Sequence, residues 1–151
     1  MRSVRLRSLV TNESGQSLLE TAMTLPLILL IVVGIFEFGR AFQTWQVLSN
    51  AAREGARVAI LPYATLADVQ SRVNSYMQGG QLDNFQNATV SINQNTPVVV
   101  GVGTAASSVV TVTYPFSFSV LNPVANLVVN GSTVGSPITL AVSAQMRNEA
   151  Q

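Results

Sequence analysis

The stretch that decides the fold is residues 15–42, which read GQSLLETAMTLPLILLIVVGIFEFGRAF. No charged residue occurs between Thr21 and Phe36. A helix needs roughly 20 predominantly apolar residues to cross a bilayer. The uncharged run is slightly shorter than that, but the apolar residues on both sides of it extend the pattern. The sequence therefore predicts one membrane-spanning helix over about residues 18–42.

A soluble core helix or a secretory signal peptide fits this stretch less well. The core helix of a soluble protein would show an amphipathic face, which is missing here. A cleaved secretory signal peptide would not have Glu20 near the start of its apolar region, and no small-x-small cleavage site follows directly. Pro26 is tolerated as a kink in a membrane helix. Trp45 follows the run, where an interfacial aromatic residue is expected.

The composition agrees with a membrane protein and argues against catalysis. Of the 151 residues, 48% are hydrophobic and 10% are charged, whereas soluble domains carry about 25% charged residues. The chain has no Cys, His or Lys, which removes Ser-His-Asp triads, Cys-His pairs, ordinary zinc sites and Schiff-base chemistry. A formal charge of +1 disfavours nucleic acid as a partner. We expect no enzyme activity, no metal site and no cofactor.

Beyond the apolar run the pattern stays helical and then changes to strands. Helix formers continue until Pro62. Thr65 and Asp68 resemble a helix start, and Gly79 with Gly80 would end that second helix. Later apolar stretches that alternate or are rich in valine predict strands at 88–93, 98–102, 109–114 and 138–144.

These patterns predict an α+β protein. Its long N-terminal transmembrane helix continues into a small domain with a second helix and an antiparallel sheet of about three to four strands. The predicted divisions are a leader at 1–15, a long helix at 16–61 and an exported domain at 62–151.

Four small residues form a stripe at helical spacing in the second half of the long helix: Ala52, Gly55, Ala56 and Ala59. Such a stripe allows another backbone to approach closely. We favour packing against the protein's own domain, and a contact between subunits is the alternative.

The residues from Gly15 to Glu20, set between a basic leader and an apolar helix, resemble the processing site of type IV prepilins. The resemblance implies that a prepilin peptidase cuts between Gly15 and Gln16 and leaves the helix attached. Glu20 then becomes the fifth residue of the mature chain, where the family's acidic residue neutralises a subunit's N-terminal amine. The plainer alternative is that Glu20 only sits at the membrane interface.

The longer pattern is similar to the TadE-like family of minor pilin-like proteins from tight-adherence (Tad, or Flp) pilus systems. The residues that carry it are Glu20-Thr21-Ala22, Leu25-Pro26-Leu27, Gly34–Arg40 and Asn50–Arg57. Major Flp pilins usually have Tyr after the acidic residue and are far shorter. Thr21 and the sizeable domain after the helix therefore favour a minor subunit.

The family resemblance implies a function, partners and a location. The protein would help assemble a Tad-type pilus for adhesion, biofilm formation or secretion, with other pilin-like subunits, the prepilin peptidase and the pilus platform as partners. It would lie in the bacterial cytoplasmic membrane, in contact with lipid, with its N-terminus in the cytoplasm and its domain outside. Whether it enters the fibre or only starts assembly stays open. The alternative function is a membrane-tethered extracytoplasmic binding module without a pilus role.

Glu37 and Arg40 lie three residues apart, so one helical turn can pair them near the membrane surface. A structural ion pair is the favoured interpretation. A specific contact with another pilus component is the alternative.

Overall fold

The computed structural model describes residues 13–101 and 103–148. The elements, in chain order, are α1 (Glu13–Ala59), α2 (Leu66–Gly79), a 3₁₀ turn (Phe85–Asn87), β1 (Thr89–Val100), β2 (Gly103–Phe116), α3 (Leu121–Val128) and β3 (Ile138–Arg147). The predicted α+β fold with a long N-terminal helix and an antiparallel sheet is confirmed.

The chain divides into two compact units. The first contains the residues up to Glu37 together with Phe118–Ser136. The second contains Phe38–Ser117 and the residues from Pro137 onward.

The long helix α1 begins at Glu13, within the predicted leader, and ends at Ala59, just before Pro62. It continues through Pro26 and through four glycines, Gly15, Gly34, Gly39 and Gly55. Just beyond the helix, Leu61 N donates to Val58 O at 3.0 Å, a hydrogen bond of the tighter 3₁₀ type that satisfies one of the last carbonyls of α1. Residues 1–12 of the predicted leader lie outside the described residues.

The second helix starts where the sequence predicts, with a capping box. Thr65 Oγ1 accepts from Asp68 N at 3.3 Å, and Asp68 Oδ2 accepts from Thr65 N at 2.9 Å. Thr65 Oγ1 also donates to Asp68 Oδ2 at 2.6 Å. This hydrogen bond first, and then the one from Thr65 N, hold the pKa of Asp68 below its usual value. Val69, Val73 and Met77 form the buried face of α2.

Replacing Thr65 with alanine is expected to lower the free energy of unfolding by about 1 kcal/mol, because the first turn of α2 loses its cap. Thermal unfolding of the protein in detergent measures the change. Ser71→Ala, at an exposed position inside the same helix, is the control and should have almost no effect.

The difference in the free energy of unfolding between Thr65→Ala and the parent protein should become smaller in acid. The depressed pKa of Asp68 gives a contribution that is present above its usual value of 3.8 and is lost as the pH falls through the lower folded value. Equal losses from both variants at neutral pH would contradict this role for the cap.

The sheet has the order β1-β2-β3, and both neighbouring pairs are antiparallel. Val110 and Val112 on the central strand are fully buried. The two runs predicted at 88–93 and 98–102 fall mainly in one strand, β1, whose register shifts between Asn93 and Thr96. Val102 of the second run lies outside the described residues. Within the described residues the sheet therefore has three strands, in the predicted range of three to four.

Helix α3 is absent from the sequence-based prediction. Its sequence, LNPVANLV, contains Asn and Pro, residues typical of loops, but Pro is accommodated in the first turn of a helix. The following segment closes back on the helix through Asn122, whose Nδ2 donates to Val134 O at 3.0 Å. Gly135 has φ +79°, and a Cβ there would lie 2.6 Å from Asn122 N, so only glycine fits this closure.

Candidate functional site on the first helix

The predicted processing site lies at the start of α1. Gly15 and Gln16 are helical, and nothing lies within 4 Å of where a Cβ on Gly15 would be. The first N–H groups of a helix have no partner within it, so this end is readily unwound.

Glu20 is exposed one turn further along the helix. Threonines nearby donate to backbone carbonyls of the preceding turn: Thr21 Oγ1 to Ser17 O at 2.9 Å and Thr24 Oγ1 to Glu20 O at 3.0 Å. These bonds satisfy the hydroxyl groups inside the helix itself, which suits an apolar surrounding. The carboxylate of Glu20 is the last charged group in the sequence before the uncharged run.

The apolar part of α1 is exposed. In the described chain, one helical stretch, Gly15–Ala59, is long and apolar enough to cross a membrane. Its most apolar window has a mean hydropathy of 2.3, and none of that window is buried. A core helix of a soluble protein would be covered by its own domain. This stretch is a candidate membrane span, in agreement with a membrane-anchored protein.

Glu37, the first charged residue after the apolar run, is only 5% exposed. Its Oε1 accepts from the backbone N–H groups of Ser119, at 3.0 Å, and Val120, at 2.8 Å. These residues directly precede α3, so the carboxylate satisfies N–H groups at the start of that helix, where the helix dipole favours negative charge. No local pattern in the sequence indicates these partners, because they lie 82 and 83 residues away.

Arg40 contacts the end of β2 within the second unit. Its Nη2 donates to Ser117 O at 2.6 Å, and its guanidinium carbon lies 4.8 Å from the centre of the Phe116 ring. A cation over an aromatic ring is attracted by the ring's quadrupole. The ion pair between Glu37 and Arg40 stays a prediction.

The small-residue stripe packs inside the second unit. Ala52, Gly55, Ala56 and Ala59 are all buried. A Cβ on Gly55 would lie 2.6 Å from Val73 Cγ2 of α2 and 3.2 Å from Val110 Cγ1 of β2. Glycine at position 55 therefore lets the helix backbone lie directly against these valines.

An ion-pair cluster joins α1 to α2 beside the stripe. Glu54 Oε2 accepts from Arg72 Nη2 at 2.8 Å, and Glu54 Oε1 accepts from Arg57 Nη1 at 3.3 Å. The pKa of Glu54 is lowered, mainly by the hydrogen bond from Arg72 and to a smaller extent by the positive charge of Arg57. Sequence spacing identifies Glu54 and Arg57 as neighbours on one helix but does not point to Arg72. Exposed pairs of this kind contribute little to stability.

A polar cleft lies at the end of the second unit where α1 ends. Tyr63 is 97% exposed there and has φ +68°, a conformation that a bulky residue rarely adopts. Ser108 Oγ donates to Asn148 Oδ1 at 2.8 Å, and Asn148 Nδ2 donates to Asn95 Oδ1 at 3.2 Å. Arg147 also lines this cleft. The amide, hydroxyl and guanidinium groups that line the cleft could hold a polar ligand.

The residue types for a metal centre do not come together in residues 13–101 and 103–148, where no cluster of three or more candidate ligand side chains occurs. The predicted site residues instead lie along α1, where some are exposed, some are packed and Glu37 is hydrogen-bonded.

One comparison with known proteins gives a match. A family model described as TadE-like protein matches residues 15–57, less than a third of the chain. No curated protein and no solved structure matches the chain. The family resemblance read from the residues of α1 is confirmed over this segment. The segment includes the predicted processing site, the apolar run, Glu37, Arg40 and most of the small-residue stripe.

Proposed function

From the premise that residues 15–57 are a TadE-like segment of a Tad-pilus-associated protein, we propose that this chain is a minor pilin-like assembly subunit. A prepilin peptidase removes the leader after Gly15, and α1 holds the mature chain in the bacterial cytoplasmic membrane. The N-terminus faces the cytoplasm and the α+β domain faces outward. The subunit takes part in building a Tad-type pilus that serves adhesion, biofilm formation or secretion.

The observation that carries this proposal is the state of α1. A single continuous helix contains the matched segment, and its apolar part is exposed while one face of its second half is buried. A helix built only to stabilise a soluble domain would be covered along its length. An exposed apolar half is available both to lipid and to the apolar helices of other pilin-like subunits.

Glu20 supports assembly rather than simple anchoring. A carboxylate at the edge of an apolar helix is costly unless it is paired. Cleavage after Gly15 creates an α-amino group at Gln16, and that amine in the same or a neighbouring subunit supplies the positive partner. The pilus platform and secretion ATPase would act on the membrane-embedded helix. The absence of Cys, His and Lys from the sequence supports a role without catalysis.

Replacing Gly15 with valine is expected to block leader removal, and replacing Glu20 with glutamine is expected to leave cleavage intact but abolish or strongly reduce pili. Valine changes the residue before the scissile bond, whereas glutamine removes only the charge that pairs with the new amine. The mass of the mature chain measures cleavage, and electron microscopy of the cells measures piliation.

Gly79→Ala is the control for replacing a helical glycine, because Gly79 lies in α2, outside the matched segment, and nothing lies within 4 Å of where its Cβ would be. It should be processed and support pili normally. Normal processing and normal pili in both the Gly15 and the Glu20 variants would refute the proposal.

A second candidate function rests on the polar cleft. A membrane-tethered binding module would use the exposed ring of Tyr63 and the amides of Asn95 and Asn148 to hold a ligand, with no part in a pilus. Co-purification distinguishes the two candidates. Recovery of a pilus platform protein and secretion ATPase with the full-length chain favours the assembly role, and a stable chain that never recovers them favours the binding module.

A further inference from the structure

The segment Phe118–Ser136 contains α3 and the loop after it, and it belongs to the same compact unit as the apolar part of α1. It contains no charged residue. It follows β2 in the chain and precedes β3, so it is an insertion between two paired strands. The sheet itself does not need it for pairing.

Hydrogen bonds to Glu37 determine the position along α1 at which this segment lies. The carboxylate of Glu37 holds the backbone N–H groups of Ser119 and Val120. Leu30, Val33 and Gly34 are partly covered, in contrast to most of the apolar run. Residues 30, 33, 34 and 37 fall on one face of a helix. The start of α3 is therefore held beside the end of the apolar run.

One side of the segment is buried, and much of the remainder is exposed and apolar. Leu121, Val124 and Ala125 of α3 are buried. The exposed apolar side chains, here called the apolar face, are Val120 (49% exposed), Leu127 (76%), Val128 (40%), Val129 (60%) and Val134 (52%). An exposed apolar cluster of this kind is typical of a surface that contacts a membrane or another protein.

The polar side chains of α3 have partners within the segment. Asn122 Nδ2 donates to Val134 O at 3.0 Å, and Asn126 Nδ2 donates to Asn122 O at 2.9 Å. Internal satisfaction of polar groups lowers the cost of placing them in a medium with little water. The two amide side chains of α3 thus already have hydrogen-bond partners next to the exposed apolar face.

We propose that α3 and its following loop are a second lipid-contacting element, whose apolar face lies in the interface of the bilayer that α1 crosses. The proposal rests on the proposed membrane anchoring. Lipid is the occupant because the face belongs to the same compact unit as the exposed apolar part of α1 and is held to it by Glu37. It begins beside Glu37, the first charge after the uncharged run, within the last part of the predicted span at residues 18–42. A short helix with an apolar face at that level lies along the membrane surface.

The chain has no cysteine, so single-cysteine variants can report its surroundings in the full-length protein. We would place an environment-sensitive fluorophore on Leu127→Cys, Ile28→Cys and Arg53→Cys in phosphatidylcholine–phosphatidylglycerol nanodiscs. Ile28 lies in the predicted span. Arg53 is exposed on α1, and at 1.5 Å of rise per residue it lies about 16 Å along the helix beyond residue 42.

Doxyl-labelled lipids should quench the fluorophores at Leu127→Cys and Ile28→Cys, and aqueous iodide should quench the one at Arg53→Cys. Quenching at Ile28→Cys without quenching at Leu127→Cys would overturn the proposal for α3 and leave the membrane anchor intact. No lipid quenching at Ile28→Cys would overturn the anchor and the α3 proposal together. A label at Leu127→Cys shielded from both quenchers would point to protein covering the apolar face and would also overturn the proposal.

A charge on the apolar face supplies a second measurement. With the fluorophore on Val134→Cys, the added substitution Leu127→Lys should lower lipid quenching at least threefold, because the ammonium group draws the segment toward water. Val99→Lys is the matched control, since Val99 is 77% exposed and lies in β1. Equal quenching in all three proteins would count against lipid contact at this face.

Discussion

Replacing Glu37 with leucine is expected to release the start of α3 from α1. The carboxylate is 5% exposed and accepts from two backbone N–H groups, on Ser119 and Val120. Hydrogen bonds to a charged group contribute roughly 1.5–3 kcal/mol each. Leucine has about the right size for the site but offers no acceptor, so both N–H groups lose their partner.

Amide hydrogen exchange of the full-length protein in nanodiscs measures the effect. Protection at Ser119 and Val120 should fall at least tenfold in Glu37→Leu, since each tenfold change corresponds to about 1.4 kcal/mol. Glu37→Gln keeps an acceptor without the charge, so its loss should be smaller. Glu20→Gln changes the same residue type at an exposed position of α1 and should not alter exchange at these amides. Unchanged protection in Glu37→Leu would show that the hydrogen bonds do not hold α3.

Local sequence patterns predicted the helices and strands that depend on residues close to one another in the chain. The apolar run predicted α1, and Thr65 with Asp68 predicted the start of α2, because a cap and its helix lie within four residues of each other. The alternation of apolar and polar residues predicted β2 and β3, because successive side chains of a strand point to opposite faces of the sheet. These interactions need no knowledge of the rest of the chain.

Contacts between distant residues could not be predicted in this way. Glu37 has the spacing of a helical ion pair with Arg40, yet its backbone partners lie beyond β2. Helix α3 depends on Asn122 bonding to the loop behind it and on Gly135 approaching closely. Neither relation has a period or motif, so sequence patterns could predict neither the partners of Glu37 nor helix α3.

Replacing Gly55 with leucine is expected to destabilise the second unit by about 3 kcal/mol, at the upper end of the usual cost of overpacking. Even a Cβ at this position would lie 2.6 Å from Val73 Cγ2 and 3.2 Å from Val110 Cγ1. Both valines are fully buried, and a β-branched side chain has few other rotamers to adopt. The better helix propensity of leucine, roughly 1 kcal/mol over glycine, offsets only part of this cost.

Gly79→Leu is the matched control, because Gly79 also lies in a helix and nothing is within 4 Å of where its Cβ would be. Thermal unfolding in detergent should show a large loss for Gly55→Leu, a smaller loss for Gly55→Ala and no loss for Gly79→Leu, where the better helix propensity of leucine can only stabilise. The same variants separate the two roles of the small-residue stripe. If Gly55→Leu unfolds like the parent protein but abolishes pili, the stripe acts between subunits, and packing within its own domain is not what requires glycine at this position.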